Sequence, residues 1–166
     1  KAKEKSLRFL YFIQTEMGFS NLSIDYDEYP SKDGFPLMPY HRESRRSKGE
    51  VTLTLNDIKS PYMQENSLYR TGIAVGDYPV DHHHGAYSNY SNLPKLDFYP
   101  VPSYSVPLGS LIPKNIDNFI VIEKSISVSN LVNGTSRLQP VVLQIGQASG
   151  VLASLAILKK KNIDQI

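Results

Sequence analysis

Apolar positions recur at helical spacing along residues 2–17, with Leu7, Leu10, Tyr11, Ile13 and Gln14 on one stripe. Gly18 stands where that helix is expected to stop. Residues 19–37 lose the period, turn acidic and are punctuated by Pro30, Gly34 and Pro36, so they read as irregular. At 51–55 Val51, Leu53 and Leu55 alternate with threonines, the pattern of a half-buried strand. Asp57 follows in a position to cap a short turn or helix. A strand is predicted over 73–75, then a turn at Gly76-Asp77 and an extended piece through Val80. Residues 85–102 mix Tyr, Asn, Ser and Pro without a period and read as a loop. An extended stretch at 103–111 leads to a turn around 113–118. Next come a buried strand at 118–123 and a serine- and asparagine-rich loop reaching Arg137. The last element is a helix from near Pro140 to about residue 160.

That last unit of strand, polar loop and helix is the most telling pattern. The helix carries Gly146, Ala148, Ser149, Gly150 and Ala153 at intervals that suit close approach of a backbone or a flat ligand. Pro140 fits a first turn, where its missing N–H has no intrahelical partner. The remaining free N–H groups there and the helix dipole favour an electron-rich partner. Such a unit suggests a cofactor site.

Composition narrows the classes. The 166 residues can bury a core, and 18 Lys+Arg against 16 Asp+Glu leave no field that recruits nucleic acid or a membrane surface. Cysteine is absent, which excludes disulfides, thiolate chemistry and Cys-based zinc sites. The compartment stays open. No apolar run is expected to reach membrane-spanning length, and Lys1–Lys5 is not followed by a signal-peptide core. Lys159, Lys160 and Lys161 suit a solvated helix end that complements the dipole. The chain opens directly in a helical pattern and closes inside what reads as the start of another element. A piece of a longer protein is expected.

Candidate chemistry lies in the polar segments. Tyr40-His41-Arg42-Glu43-Ser44-Arg45-Arg46 packs guanidinium forks suited to carboxylates or phosphates. If extended, Arg42, Ser44 and Arg46 share one face while Glu43 and Arg45 share the other, so Glu43 can pair with an arginine and orient it. The alternative is a solvated charged strand. In Asp81-His82-His83-His84 a strand puts Asp81 and His83 on one face, and a carboxylate beside an imidazole supports general-base chemistry. A metal site lacks a nameable third ligand, and a surface histidine run is the plain alternative. The segment from Ser129 to Arg137 supplies amides, hydroxyls and a guanidinium just before the helix, which suits a polar ring edge or a diphosphate. An ordinary capped loop remains open. Asn133-Gly134-Thr135 and Asn89-Tyr90-Ser91 also match the glycosylation acceptor pattern, which is too common to weigh.

Taken in order, several segments resemble the C-terminal part of FAD-dependent oxidoreductases related to fumarate-reductase-type flavoproteins. They are Pro39-Tyr40-His41-Arg42-Glu43-Ser44-Arg45-Arg46 with Gly49, and Gly76-Asp77-Tyr78-Pro79-Val80-Asp81 with His83. Then follow Tyr104-Ser105-Val106-Pro107 through Ser110-Leu111-Ile112-Pro113, and Asp117-Asn118-Phe119-Ile120-Val121 running on to Arg137, Pro140 and Gly146-Gln147-Ala148-Ser149-Gly150. The resemblance covers most of residues 36–160. It implies that Gly134, Arg137, Gln139 and Pro140 line the flavin. Arg42, Arg45, Arg46 and His83 would be catalytic, with Asp81 and Tyr40 on the substrate. The implied cofactor is FAD, and no metal is implied. The Gly-x-Gly-x-x-Gly fingerprint is not in this chain, so the adenine half of the site is expected from an upstream nucleotide-binding region.

The fold expected is α/β or α+β, a fragment of a Rossmann-like FAD-binding protein with a mixed sheet. Residues 1–117 would form a substrate-side region, and 118–166 the last strand and helix of the FAD-binding domain. The substrate would be a small molecule or carbohydrate-derived. Some relatives carry a xanthan lyase label, and a carbohydrate-active module is the alternative: tyrosines stack on sugars and arginines neutralise uronates. A non-catalytic interaction domain is the third reading.

Overall fold

The computed structural model describes residues 1–63, 71–81 and 98–166. His82, His83 and His84, the Asn89-Tyr90-Ser91 acceptor and most of the loop at 85–102 lie outside the described residues. The fold mixes helices with a small antiparallel sheet, the α/β composition expected from sequence. The chain divides into two compact units, Lys1–His41 and Arg42–Ile166.

The first unit holds α1 (Ala2–Thr15), which ends just before Gly18 at φ +79°, as the stripe and the glycine predict. Arg8 pairs with Glu4 one turn back at 2.7 Å. Lys3 pairs with Asp33 in the irregular segment, and this bond holds the Asp33 carboxyl below the usual carboxylate range.

The second unit is built on α2 (Leu55–Lys59), β1 (Gly72–Gly76), β2 (Tyr104–Pro107), α3 (Asn130–Ser136) and α4 (Gln139–Lys159). Strands β1 and β2 pair antiparallel, with Ala74 opposite Val106, Gly76 opposite Tyr104, and an irregularity near Gly72. Their inner residues join Leu53, Ile58, Leu111, Ile126, Val132, Val141 and Ile145 in one core. Each such aliphatic side chain contributes roughly 1.5–3 kcal/mol of burial.

Helix α4 begins with Pro140 in its first turn and buries Val141, Ile145, Ser149, Leu152 and Ala156. This stripe packs on β1. The amide of Gln144 completes the contact: its oxygen accepts from Val75 N at 2.9 Å and its nitrogen donates to Val75 O at 3.2 Å. A side chain thus supplies the paired bonds that a neighbouring strand residue would make. Lys160, in the left-handed conformation, closes the helix, with its N–H and that of Lys161 bonded to Ile157 and Ala156 carbonyls.

Several expectations are corrected. Residues 51–55 form no strand. Leu53 makes an isolated parallel bridge with Val128, and Leu55 opens α2 because Asp57 accepts the Thr54 N–H at 2.6 Å and its hydroxyl at 2.7 Å. Thr54 is therefore the cap, and Asp57 acts from the first turn. Within 103–111 only β2 is extended, and Leu108–Ser110 coils into a 3-10 turn.

Residues 118–123 form no strand either. Asn118 and Glu123 stand at φ +52° and +60°, and the apolar run makes no ladder: its backbone bonds among the described residues run from Val121 N to Leu111 O at 2.8 Å and, locally, from Ser125 N to Ile122 O at 3.3 Å. Asn118 instead braces the C-terminal segment, donating to Asn162 Oδ1 at 2.9 Å and accepting from Ile163 N at 3.3 Å. The polar loop before Arg137 is helical as α3. Ser129 Oγ accepts the Val132 N–H at 3.3 Å, and burial of Val132 through Ser136 overrides the poor helix propensity of Asn133-Gly134-Thr135-Ser136. Asn133 is buried, so its acceptor pattern is out of reach of a glycan.

Of the small residues on α4, Ser149 faces the core, whereas Gly146 and Gly150 face open space, with nothing within 4 Å of an added Cβ. By length and composition α4 is apolar enough to cross a membrane, contrary to the expectation that no run approaches that length.

Candidate functional site

Residues 76–81 lie along the buried side of α3, and the closest approach explains two glycines. A Cβ on Gly134 would stand 2.8 Å from Asp81 O, so only a glycine lets that backbone pass. A Cβ on Gly76 would meet the Tyr104 hydroxyl at 2.5 Å, so β1 is hollowed where the ring lies. The Tyr104 hydroxyl reaches Thr135 Oγ1 at 2.9 Å, and Thr135 donates to the Tyr78 carbonyl. Burial pushes the Tyr104 phenol up to about 12, with the Asp77 charge adding to the rise and the Thr135 bond opposing it. This chain of hydroxyls fastens β2, α3 and the 76–81 segment together.

At the C-terminal end of α3 stands Arg137, its side chain only 6% exposed. Its Nη2 donates to Asp81 O at 3.0 Å and to Asp81 Oδ2 at 3.3 Å. The guanidinium is only half satisfied, since Nε and Nη1 are buried without a partner, as is Nδ2 of Asn133 one turn earlier. Unpaired buried donors on a charged group are costly, roughly 1–3 kcal/mol each or more. They mark a place that wants an acceptor. Gln139 and Pro140 follow, exposed at the start of α4.

The structure therefore brings together Asp81, Gly134 and Arg137, with Gln139 and Pro140 close behind in sequence. The arginine segment forms a separate cluster. Arg46 pairs with Glu43 at 3.5 Å, and Glu43 accepts from Asn130 Nδ2 at 2.9 Å. Glu43 thus orients Arg46 rather than Arg45, its neighbour on an ideal strand, because the segment is irregular. Asn130 opens α3 and Arg137 caps it, so the two clusters are about one short helix, roughly 10 Å, apart. Arg42 and Arg45 are exposed, and Tyr40 is exposed within the first unit. His83 lies outside the described residues. Among those described, no group of three potential metal ligands converges.

Sequence reasoning gave Tyr104 no role, and it placed Asn133 and Thr135 only within the polar segment from Ser129 to Arg137, read as a loop. The usable signal was the spacing of Thr135 and Asn133 around Gly134, but it requires α3 to be a helix.

No curated protein and no solved structure matches the chain. The family described as FAD dependent oxidoreductase matches residues 1–166. With the whole chain covered, this protein belongs to the FAD dependent oxidoreductase family, which implies FAD as the cofactor of the intact protein.

Proposed function

We propose that the chain is the C-terminal part of an FAD-dependent oxidoreductase, contributing the flavin-facing helix and residues of the substrate side. The observation that carries this reading is the buried, half-paired guanidinium of Arg137 beside the unpaired amide of Asn133. The donor set fits the cofactor: the pyrimidine edge of the isoalloxazine offers ring-nitrogen and carbonyl acceptors, and these are donors without acceptors. When bound, FAD supplies the transfer of a hydride or electrons to and from a substrate. Arg137 and Asn133 bind and orient the ring edge, and the fixed cation favours negative charge there. Asp81 holds Arg137 in place through its carboxylate and carbonyl. Gly134 keeps the Asp81 backbone against α3, and the α4 N-terminus at Gln139 and Pro140 adds its dipole.

On the substrate side, Arg42, Arg45 and Arg46 hold negative charge, and Tyr40 lines the substrate. His83, next but one to Asp81 in sequence, moves a proton, because an imidazole titrates near neutrality. Residues 118–166 belong with the FAD-binding domain, whose nucleotide-binding half lies upstream in the same protein. The substrate is a small molecule, or one derived from a carbohydrate.

The test is a visible absorption spectrum of the full-length protein purified with added FAD. Flavin bands that Arg137→Ala removes or shifts support the reading. A folded but colourless protein overturns it and turns attention to the carbohydrate alternative. Ultraviolet absorbance from unsaturated products on an acidic polysaccharide then decides that alternative.

A further inference from the structure

The arginine segment and the apolar run at 119–122, some seventy residues apart in sequence, face each other across an open cavity of about 460 Å³. Arg45, Arg46 and Ser47 line it together with Phe119, Ile122 and Ser125. Its polar side is fixed in place. Ser47 N donates to Ser125 O at 2.9 Å, and Ser125 Oγ donates to Ser44 Oγ at 3.1 Å. Arg46 is steered by Glu43, which Asn130 holds in turn.

One donor of this lining lacks an acceptor: the Ser47 hydroxyl is buried with no hydrogen-bond partner. Arg45 is exposed, with no acidic partner among the described residues. A hydroxyl hidden from water on a cavity wall, beside an unpaired guanidinium, calls for an oxyanion. The charge balance limits which one. Of the two cations that line the cavity, Arg46 is paired with Glu43 at 3.5 Å, which leaves Arg45 to neutralise a monoanion, and a dianion only in part. Across the cavity, Phe119 and Ile122 are about half exposed, an apolar surface with no polar group to satisfy.

The geometry points to a binding site for a small organic monocarboxylate. Its carboxylate lies on the Arg45 and Arg46 guanidinium groups and the Ser47 hydroxyl, and its aryl or branched-alkyl body lies against Phe119 and Ile122. This deepens the proposed function, since it rests on the placement of the arginine segment on the substrate side. It assigns that side a substrate or effector class: monoanionic, carboxylate-headed and apolar-bodied.

Calorimetric titration of the full-length protein with benzoate, benzamide and phenyl phosphate tests it. Benzoate is expected to bind saturably at one site. Benzamide has the same shape without the charge, and phenyl phosphate carries a second charge; both are expected to bind at least tenfold more weakly. Arg45→Ala should weaken benzoate about tenfold or more, the loss of a charge-assisted bond, with Arg45→Lys intermediate because it keeps the charge and loses the fork. Ser47→Ala should weaken it several-fold. Benzamide binding as well as benzoate, or benzoate unmoved by both alanine variants, overturns the inference. Flavin absorbance is read on the same samples. A yellow protein that ignores benzoate sinks this site alone, whereas a colourless protein that binds benzoate sinks the flavin reading alone.

Discussion

Replacing Arg137 by methionine should cost the flavin-free protein little, although the residue is buried and ion-paired. The side chain makes bonds to Asp81 O at 3.0 Å and to Asp81 Oδ2 at 3.3 Å. Charge-assisted bonds contribute about 1.5–3 kcal/mol each, and the longer of these belongs at the low end. Against them stand Nε and Nη1, buried and unpaired, at about 1–3 kcal/mol each. Methionine removes the bonds and the penalties together while keeping the apolar stem. The Asp81 carboxylate left behind is 19% exposed and keeps contact with water. The opposing terms cancel to within about 2 kcal/mol. Asp81→Ala is the unequal partner: it strands a cation that is 6% exposed, and removing one member of a buried pair costs roughly 3–5 kcal/mol. The assay is urea unfolding of the flavin-free protein, comparing midpoints at unchanged slope. Arg137→Met should unfold at higher urea than Asp81→Ala, and the double variant should recover most of the loss. An Arg137→Met protein less stable than Asp81→Ala would refute the idea that Arg137 is kept for a ligand.

Two other expectations concern the frame around Arg137. Tyr104→Phe loses the 2.9 Å bond to Thr135, about 1 kcal/mol. It should also remove an alkaline transition. The phenol is raised from 10 to about 12 on folding, so its stabilisation is complete below pH 10 and is lost as pH rises toward 12, roughly 3 kcal/mol in all. Urea midpoints measured between about pH 9 and 12 should fall more steeply for the parent than for the Phe variant; equal slopes count against the assignment. Gly134→Ala places a methyl 2.8 Å from Asp81 O, a backbone atom that cannot rotate away, and should cost about 1–3 kcal/mol. By contrast Gly146→Ala, with open space around it, should gain about 0.5–1 kcal/mol in the isolated chain from helix propensity. Thermal melts that rank the two alanines the other way contradict the packing described.

What the sequence made legible divides along physical lines. Helices α1 and α4 were readable because their signals are local: a periodic stripe, a glycine stop and a proline in the first turn. Helix α3 was not, since Asn133, Gly134, Thr135 and Ser136 are poor helix formers, and the forces that make them helical come from elsewhere in the chain. Those forces are the burial of Val132 and the Tyr104 bond to Thr135, a contact 31 residues away in sequence. The run Phe119-Ile120-Val121-Ile122 looks like a core strand, yet strand existence depends on a partner ladder, and positive φ at Asn118 and Glu123 brackets it instead. Of the cluster around Arg137, the family resemblance named Gly134 and Arg137 for the flavin and Asp81 for the substrate. Their mutual contact was not, because no local pattern reports that Asp81 lies on Gly134. The arginine segment was legible as charge, but its apolar counterpart across the cavity was not.

The flavin role proposed for the unpaired donors of Arg137 is open to direct measurement. An FAD titration of the full-length protein, followed by visible difference absorbance for the parent and Arg137→Met, tests it most directly. Saturable binding by the parent is expected, with a dissociation constant at least about tenfold higher in the variant, which stays folded. Equal dissociation constants, or a folded parent that binds no FAD, would contradict it.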